Sequence, residues 1–446
     1  MKLMKNFVLF SLFVLFIATG ACSSVPGTDG SDGGDGGDGT GSGTDGGTNP
    51  PTSNLAQVLF NPVGAVLDFN LIDLEFLPGQ NGDLIVAGKD GTLYYLDGNF
   101  NLIASANIND HLGGDGDVMD SDERGLQGIA AHPNYASNGM IYIFYTYNSD
   151  VADAPVNDVN RVERRTVSIT KPGGPLLLGD ARMIIEFPKT ESNNPGHNHN
   201  GGAMVFDSVG NLILGVGDGG GSSSANTTEA ISQNGAVSLG KLHRIVPSVA
   251  VNNGGFTIPV LPADDPNTDN LIGPDTIYMY GLRNPFTIVN KEKNDQLAGD
   301  VGSSVYEEIN CIYNADENFG WPLFEGKTGL LQGFEPAAHG YAHDDSTFAD
   351  ADPLAVNTGS RSIMVVAWIE GANAYNGTFE RRVIYTDFYQ GWVRALRVEP
   401  NHLKSADDHI GHLSGLTSLQ ENPADGFYYG VSLGGSNMIQ RMELAP

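Results

Sequence analysis

Short runs of apolar and aromatic residues, broken by glycine, aspartate or asparagine, recur along the chain from Asn54 to Pro446. LIVAGKDGTLYYLD (84–97), VIYTDFYQGWVRALRV (383–398) and FYYGVSLGGSNMIQRM (427–442) each join two such runs through a short Gly or Asp turn. That pattern predicts antiparallel hairpins. The second and third start 44 residues apart, the spacing of propeller blades. GNLILGVGDGG (210–220) opens in the same way, but its partner run, KLHRIV (241–246), follows a long polar excursion. Loops of more than about 15 residues in a compact domain are usually functional or disordered, so this excursion marks a candidate site. Helical periodicity is scarce. The pattern predicts an all-β fold, a β-propeller, and at roughly 65 residues per blade the region from 54 to 446 predicts six blades.

The first 53 residues follow a different rule. Lys2 and Lys5 precede an apolar run from Phe7 to Ala18, too short and too terminal for an ordinary membrane span and suited to an export signal. The run closes on Thr19, Gly20, Ala21 and Cys22, which resembles the lipobox of bacterial lipoproteins. Residues 1–21 are therefore expected to be a removed signal peptide and Cys22 the lipidated N-terminus; a plain secretory signal is the alternative. Residues 22–53, rich in Gly, Asp, Ser and Thr, have nothing apolar to bury and read as a flexible tether. Some thirty flexible residues reach roughly 30 Å. The stretch GGDGGDG lacks the apolar position that a calcium-binding repeat needs to stack a core. Ser23 after the cysteine points to the periplasmic face of the outer membrane, or to the cell surface.

A net charge of -30 excludes binding of nucleic acid or anionic lipid by bulk electrostatics. Any anionic ligand must be met by local arginines and lysines, and contact with a membrane is expected only through the lipid. The chain has two cysteines. With Cys22 consumed by lipid no internal disulfide is expected, so apolar burial must hold the fold despite an oxidising compartment.

HNHNGGAM (197–204) raises the question of chemistry. His197 and His199 could form an H-x-H metal pair, since alternate residues of an extended chain point the same way; otherwise one of them is a base on a loop that lets a ligand approach. No third ligand stands at metal spacing. Seven motifs in chain order add context: ERGLQGIAAHPNY (123–135), HNGGAMVF (199–206), NLILGVGDGG (211–220), LGKLHRI (239–245), YGLRNPF (280–286), GDVGSSVYEEIN (299–310) and NFGWPLFEG (318–326). Together they resemble the soluble pyrroloquinoline-quinone (PQQ) dependent glucose/sorbosone dehydrogenase family and its relatives, the propeller domains of Hedgehog-interacting-protein-like proteins.

The resemblance implies oxidation of a sugar or polyol by hydride transfer to PQQ with calcium assistance. Such chemistry needs a base, an acceptor and a cation. It assigns His199 as the base, a role that suits an imidazole with its ordinary pKa of about 6.5, and Asp218 as the carboxylate that orients it. Arg283 and Asn284 are implied beside the cofactor, whose three carboxylates call for planar donors. Lys241 is a further cofactor candidate; Arg244 would face the opposite side of the same strand. Gly302 and Ser303 are implied calcium ligands through their carbonyls, and Glu123 and Asn198 substrate-facing residues. His197 is assigned to a solvated loop, as is the acidic cluster DGDVMDSDE (115–123).

The sequence departs from the family pattern in three places. No proline follows the glycine of the calcium loop, Ala203 replaces a polar or basic residue, and RSIMVVAWIEGANAYNG (361–377) lacks an expected double glycine. Cationic contacts from the later blades are left to Arg361, Arg394, Arg397 and Arg441 without a basis for choosing. No haem motif C-x-x-C-H is present, so an external electron acceptor is expected as partner. Propellers host unrelated functions; a non-catalytic propeller binding protein or polysaccharide, and a calcium-dependent lactonase, are the alternatives.

Overall fold

The computed structural model describes residues 55–446 apart from 68–69, 113–115, 149–152, 170–173, 193–194, 221–229, 246–275, 293–294, 313–314, 327–332, 357–358, 372–373 and 399–403. The expected signal peptide, Cys22 and the expected tether lie outside the described residues. The rest is a six-bladed β-propeller, five sheets of four strands and one of five. The first strands of blades 1 to 6 are Leu71–Phe76, Leu126–Ala131, Met204–Phe206, Pro285–Glu292, Ile363–Ile369 and Leu416–Glu421. Each touches the next, and the sixth touches the first, so they form a closed ring around a central channel.

The ring is closed by sequence ends. Val58–Val63 pairs antiparallel with Ile439–Leu444 and becomes the outermost strand of blade 6, so opposite ends of the domain share one sheet and backbone hydrogen bonds hold the ring shut.

Both faces of each blade are covered, which is why the strands read as almost continuous apolar runs. Six buried clusters sit one between each pair of neighbouring blades. Between blades 4 and 5, for example, Trp392 is fully buried with ring centroids 5.1 Å from Tyr341 and 5.5 Å from Tyr385. The predicted hairpins form: Leu84–Gly88 with Thr92–Leu96, Arg382–Asp387 with Trp392–Val398, and Tyr428–Ser432 with Ile439–Leu444. Across the long excursion of blade 3, Leu212–Val216 pairs with Lys241–Ile245, in the register Leu214 opposite His243.

No cysteine is free among the described residues. Cys311, on strand Tyr306–Ile312, is therefore not the lone thiol that lipidation of Cys22 leaves.

Candidate active site

A cavity of about 520 Å³ opens at one end of the channel. It lies where the segments leading into the first strands of blades 2 to 5 converge with the turns between the second and third strands of blades 1, 4 and 5. The leading segments supply Glu123, His199, Arg283 and Arg361, and the turns supply Lys89, Gly302 and Tyr389. Polar groups are thus delivered by loops while the strands behind them hold the frame.

His199 stands at its centre in a left-handed backbone conformation, φ +52°, uncommon for a residue with a side chain. Its N–H donates to Glu123 Oε2 at 2.9 Å, and its carbonyl packs where a Cβ on Gly217 would come within 2.2 Å, so only glycine fits there. Its Nδ1 lies 2.6 Å from Asp218 Oδ1. Asp218 is buried and also accepts from the Gly220 N–H (2.9 Å) and from Trp321 Nε1 (2.8 Å). Burial alone would raise its pKa, but the His199 ring, these hydrogen bonds and Arg283 hold it below the usual carboxylate value. An ionised Asp218 accepts only, so the proton of a neutral His199 ring sits on Nδ1 and Nε2 carries the lone pair. A ring so held can accept a proton at Nε2.

Arg283 and Asn284 lead into blade 4. Their backbone N–H groups donate to Asp300 at 3.0 and 2.6 Å, and burial pushes the Asp300 carboxyl upward. Arg283 donates from Nη1 to the Val301 carbonyl at 2.8 Å, and its guanidinium lies 5.6 Å from the Trp321 ring centroid. Its Nε is buried with no hydrogen-bond partner. Asn284 Oδ1 accepts from the Gly201 N–H at 2.9 Å and so holds the glycine pair after His199.

The loop after Asp300 is a tight turn: a Cβ on Gly302 would lie 1.9 Å from the Tyr306 carbonyl oxygen. Gly302 N–H donates to Glu307 Oε2 (3.2 Å) and Ser303 N–H to Glu325 Oε1 (2.8 Å). With both amides turned to carboxylates, Gly302 and Ser303 line the cavity, and hard-cation ligation would fall to their carbonyls.

Of the other expected residues, Asn198 and Glu123 line the cavity. Lys241 does not. It is fully buried and donates to the carbonyls of Ile231 (3.0 Å) and Leu239 (2.7 Å), and burial lowers its pKa to about 7. Its expected place beside a cofactor is corrected: the strand sets its face, but the turn Ile231–Gln233 covers that face. Arg244, on the other side of the strand, lies over the Tyr278 ring at 4.4 Å. His197 Nδ1 is 3.2 Å from buried Asp158, whose other neighbours are Arg124 and Lys189. Asp153, Asp158 and His197 lie close enough to share an ion, but Arg124 already bridges both carboxylates. In the acidic cluster, Lys89 Nζ donates to the Asp120 and Asp122 carbonyls at 2.7 and 2.6 Å.

Arg361 is selected from the four arginines of the later blades. It lines the cavity, whereas Arg394 pairs with Asp407 (3.1 Å) and Arg441 with Glu443 (3.0 Å) away from it. Lys89, Tyr389 and His343 were not expected at all. His343 Nε2 lies 2.7 Å from buried Glu307, so a second imidazole backed by a carboxylate lines the cavity. A signal for Arg361 was available, since Glu123, His199 and Arg283 also precede the first strand of a blade.

The channel mouth of this six-bladed propeller thus brings together an imidazole held by a carboxylate, two arginines and a tight glycine turn. Residues 70–344, more than half of the chain, match the model of the Glucose / Sorbosone dehydrogenase family, and the chain belongs to that family. It is 26% identical over 252 residues to the Aldose sugar dehydrogenase YliI of Escherichia coli, covering 56% of this chain and 58% of that protein. It is 29% identical over 171 residues to the human Hedgehog-interacting protein, covering 38% of this chain but 22% of that protein. The PQQ-bound Aldose Sugar Dehydrogenase of Streptomyces coelicolor superposes with a TM-score of 0.61 at 23% identity, over 87% of this chain and 99% of that one, a likeness of fold.

Proposed function

We propose that the protein is a PQQ-dependent dehydrogenase that oxidises an aldose or related polyol in this cleft, with His199 as base and calcium at Gly302 and Ser303. Family membership and the kinship with aldose sugar dehydrogenases support an oxidoreductase. The observation that carries the cofactor is the pair of buried, unpartnered guanidinium nitrogens of Arg283 and Arg361 in one cavity. Burying a donor without a partner costs free energy, and planar anionic carboxylates are the partners that such groups fit. Lys89 adds a third cation for a cofactor with three carboxylates. The carbonyls of Gly302 and Ser303 suit a hard cation. PQQ, when bound, supplies a two-electron acceptor and calcium polarises it.

The protein's own part is acid–base chemistry and positioning. His199 Nε2 takes the proton of the substrate hydroxyl as the C–H electron pair leaves, and Asp218 stabilises the resulting imidazolium. Glu123 and Asn198 border the space left for the sugar. The electrons leave to an external acceptor. We further propose export as a lipoprotein through Cys22, facing the periplasm or the cell surface, with no nucleic-acid partner and with lipid as its membrane contact; among the described residues no helix is long and apolar enough to cross a membrane.

The test is dye reduction by purified protein supplied with PQQ and calcium across a panel of aldoses and polyols. Sugar-dependent turnover that needs both additions and falls roughly 10²-fold or more in His199→Ala is expected. Turnover unchanged by that substitution would contradict the assignment of the base. The human relative favours one alternative, a propeller that binds a protein or polysaccharide without catalysis, and such a protein would bind no PQQ.

A further inference from the structure

The peptide that joins Asn198 to His199 is gripped at both ends by opposite charges. Its carbonyl accepts from Lys189 Nζ at 3.1 Å, and its N–H donates to Glu123 Oε2 at 2.9 Å. Lys189 also reaches the Gly196 carbonyl at 2.5 Å, so one ammonium ties down the loop on both sides of His197. Turning the peptide plane over would aim a carbonyl at the carboxylate and an N–H at the ammonium. Both contacts would become repulsive.

Lys189 is itself rigidly based. It is 0% exposed, its backbone N–H donates to the Asp158 carbonyl at 3.0 Å, and its ammonium lies 3.9 Å from the buried Asp158 carboxylate. Asp158 is fixed in turn by Asn148 (2.8 Å) and Arg124 (3.3 Å). Burial lowers the Lys189 pKa to about 8, with Asp158, Glu123 and Asp218 opposing the fall. The group thus stays largely charged at neutral pH. A buried ammonium is costly unless paired and hydrogen-bonded, and its strongest hydrogen bonds here go to the loop that carries the base. His199, held at φ +52°, needs such external restraint because its conformation is not one a side-chain-bearing residue prefers.

We propose that Lys189 is a positioning residue for the reaction, which with Glu123 clamps the 198–199 peptide and thereby fixes the direction of the His199 ring toward the cleft. This rests on the reading of His199 as the base. The clamp predicts that removing the ammonium leaves binding largely intact and impairs the proton-transfer step.

The full mature protein, labelled with ¹⁵N-histidine and free of cofactor and substrate, reports the ring directly. The Nδ1–H resonance hydrogen-bonded to Asp218 is assigned by its loss in His199→Asn. In Lys189→Met that resonance is expected to move or broaden. In the loaded enzyme kcat should fall roughly 10- to 100-fold, the scale of a misplaced reacting group, with KM within about threefold. Lys291→Met, which deletes another buried ammonium on blade 4, is expected to lower stability and leave the resonance in place. A folded Lys189→Met protein whose resonance matches the parent's would overturn the clamp. Should Lys189→Met not fold, Lys189→Gln carries the test: its shorter neutral amide cannot hold both carbonyls, and an unmoved resonance again overturns the proposal. Because the resonance is read without PQQ, a protein that oxidises no sugar still decides the clamp, and the two failures are separable.

Discussion

At the scale of single residues, the cleft divides its charged groups by whether their partners are already in the protein. Arg394 is spent on Asp407 and the Phe348 ring, whereas Arg361 gives one hydrogen bond to the Ser360 carbonyl (2.9 Å) and keeps a buried Nε without one. Arg361→Met should therefore weaken PQQ binding by roughly 10- to 100-fold, the worth of a charge-assisted hydrogen bond of about 1.5–3 kcal/mol. Arg394→Met should lower the melting temperature and leave PQQ affinity in place. Fluorescence titration of both variants checks the pair. Equal losses would mean that the cavity does not distinguish them.

At the scale of elements, the first strand of blade 1 staples its neighbours through two half-buried carboxylates facing the channel. Asp73 accepts from the Ile129 N–H (2.9 Å) on blade 2, and Glu75 accepts from the Ala131 N–H (3.3 Å) on blade 2 and Gln420 Nε2 (2.6 Å) on blade 6. Burial raises Asp73 to about 6, and burial with the charge of Asp73 raises Glu75 to about 8. A folded pKa above the unfolded one means that the protonated form is favoured by folding. This contribution is complete below the ordinary values of 3.8 and 4.5 and is lost as pH climbs through about 6 and about 8. Thermal melts from pH 5 to 9 should show declining stability, and Glu75→Gln should flatten much of the decline; an unchanged slope would contradict the assignment. The same elements show what could be read from the sequence. Hairpins were legible because each is local, with both strands and the turn in one short segment. The site motifs were legible where a loop residue and its neighbours recur as a family pattern, as around His199, Asp218 and Arg283. Lys241 was misplaced because strand alternation fixes the face of a side chain but not what covers that face. His343 and Lys89 were missed because their role depends on blades that meet only in the closed ring.

At the scale of the molecule, a closed propeller brings to one channel mouth groups as far apart in sequence as Lys89 and Tyr389, while the net charge of -30 makes that inward cluster of cations a local exception. The proposed anchor is testable on the whole chain. The mature lipoprotein should carry the mass of acyl groups on the peptide that begins at Cys22; a Cys22 peptide with no added mass would contradict lipidation. The central claim, that this cleft is built for an anionic quinone and a hard cation, is tested most directly by calorimetric titration of PQQ into the purified protein with and without calcium. One PQQ bound per chain, with affinity that falls when calcium is chelated, is the predicted result. No heat of binding in either condition would contradict the account and leave the propeller as a binding scaffold of another kind.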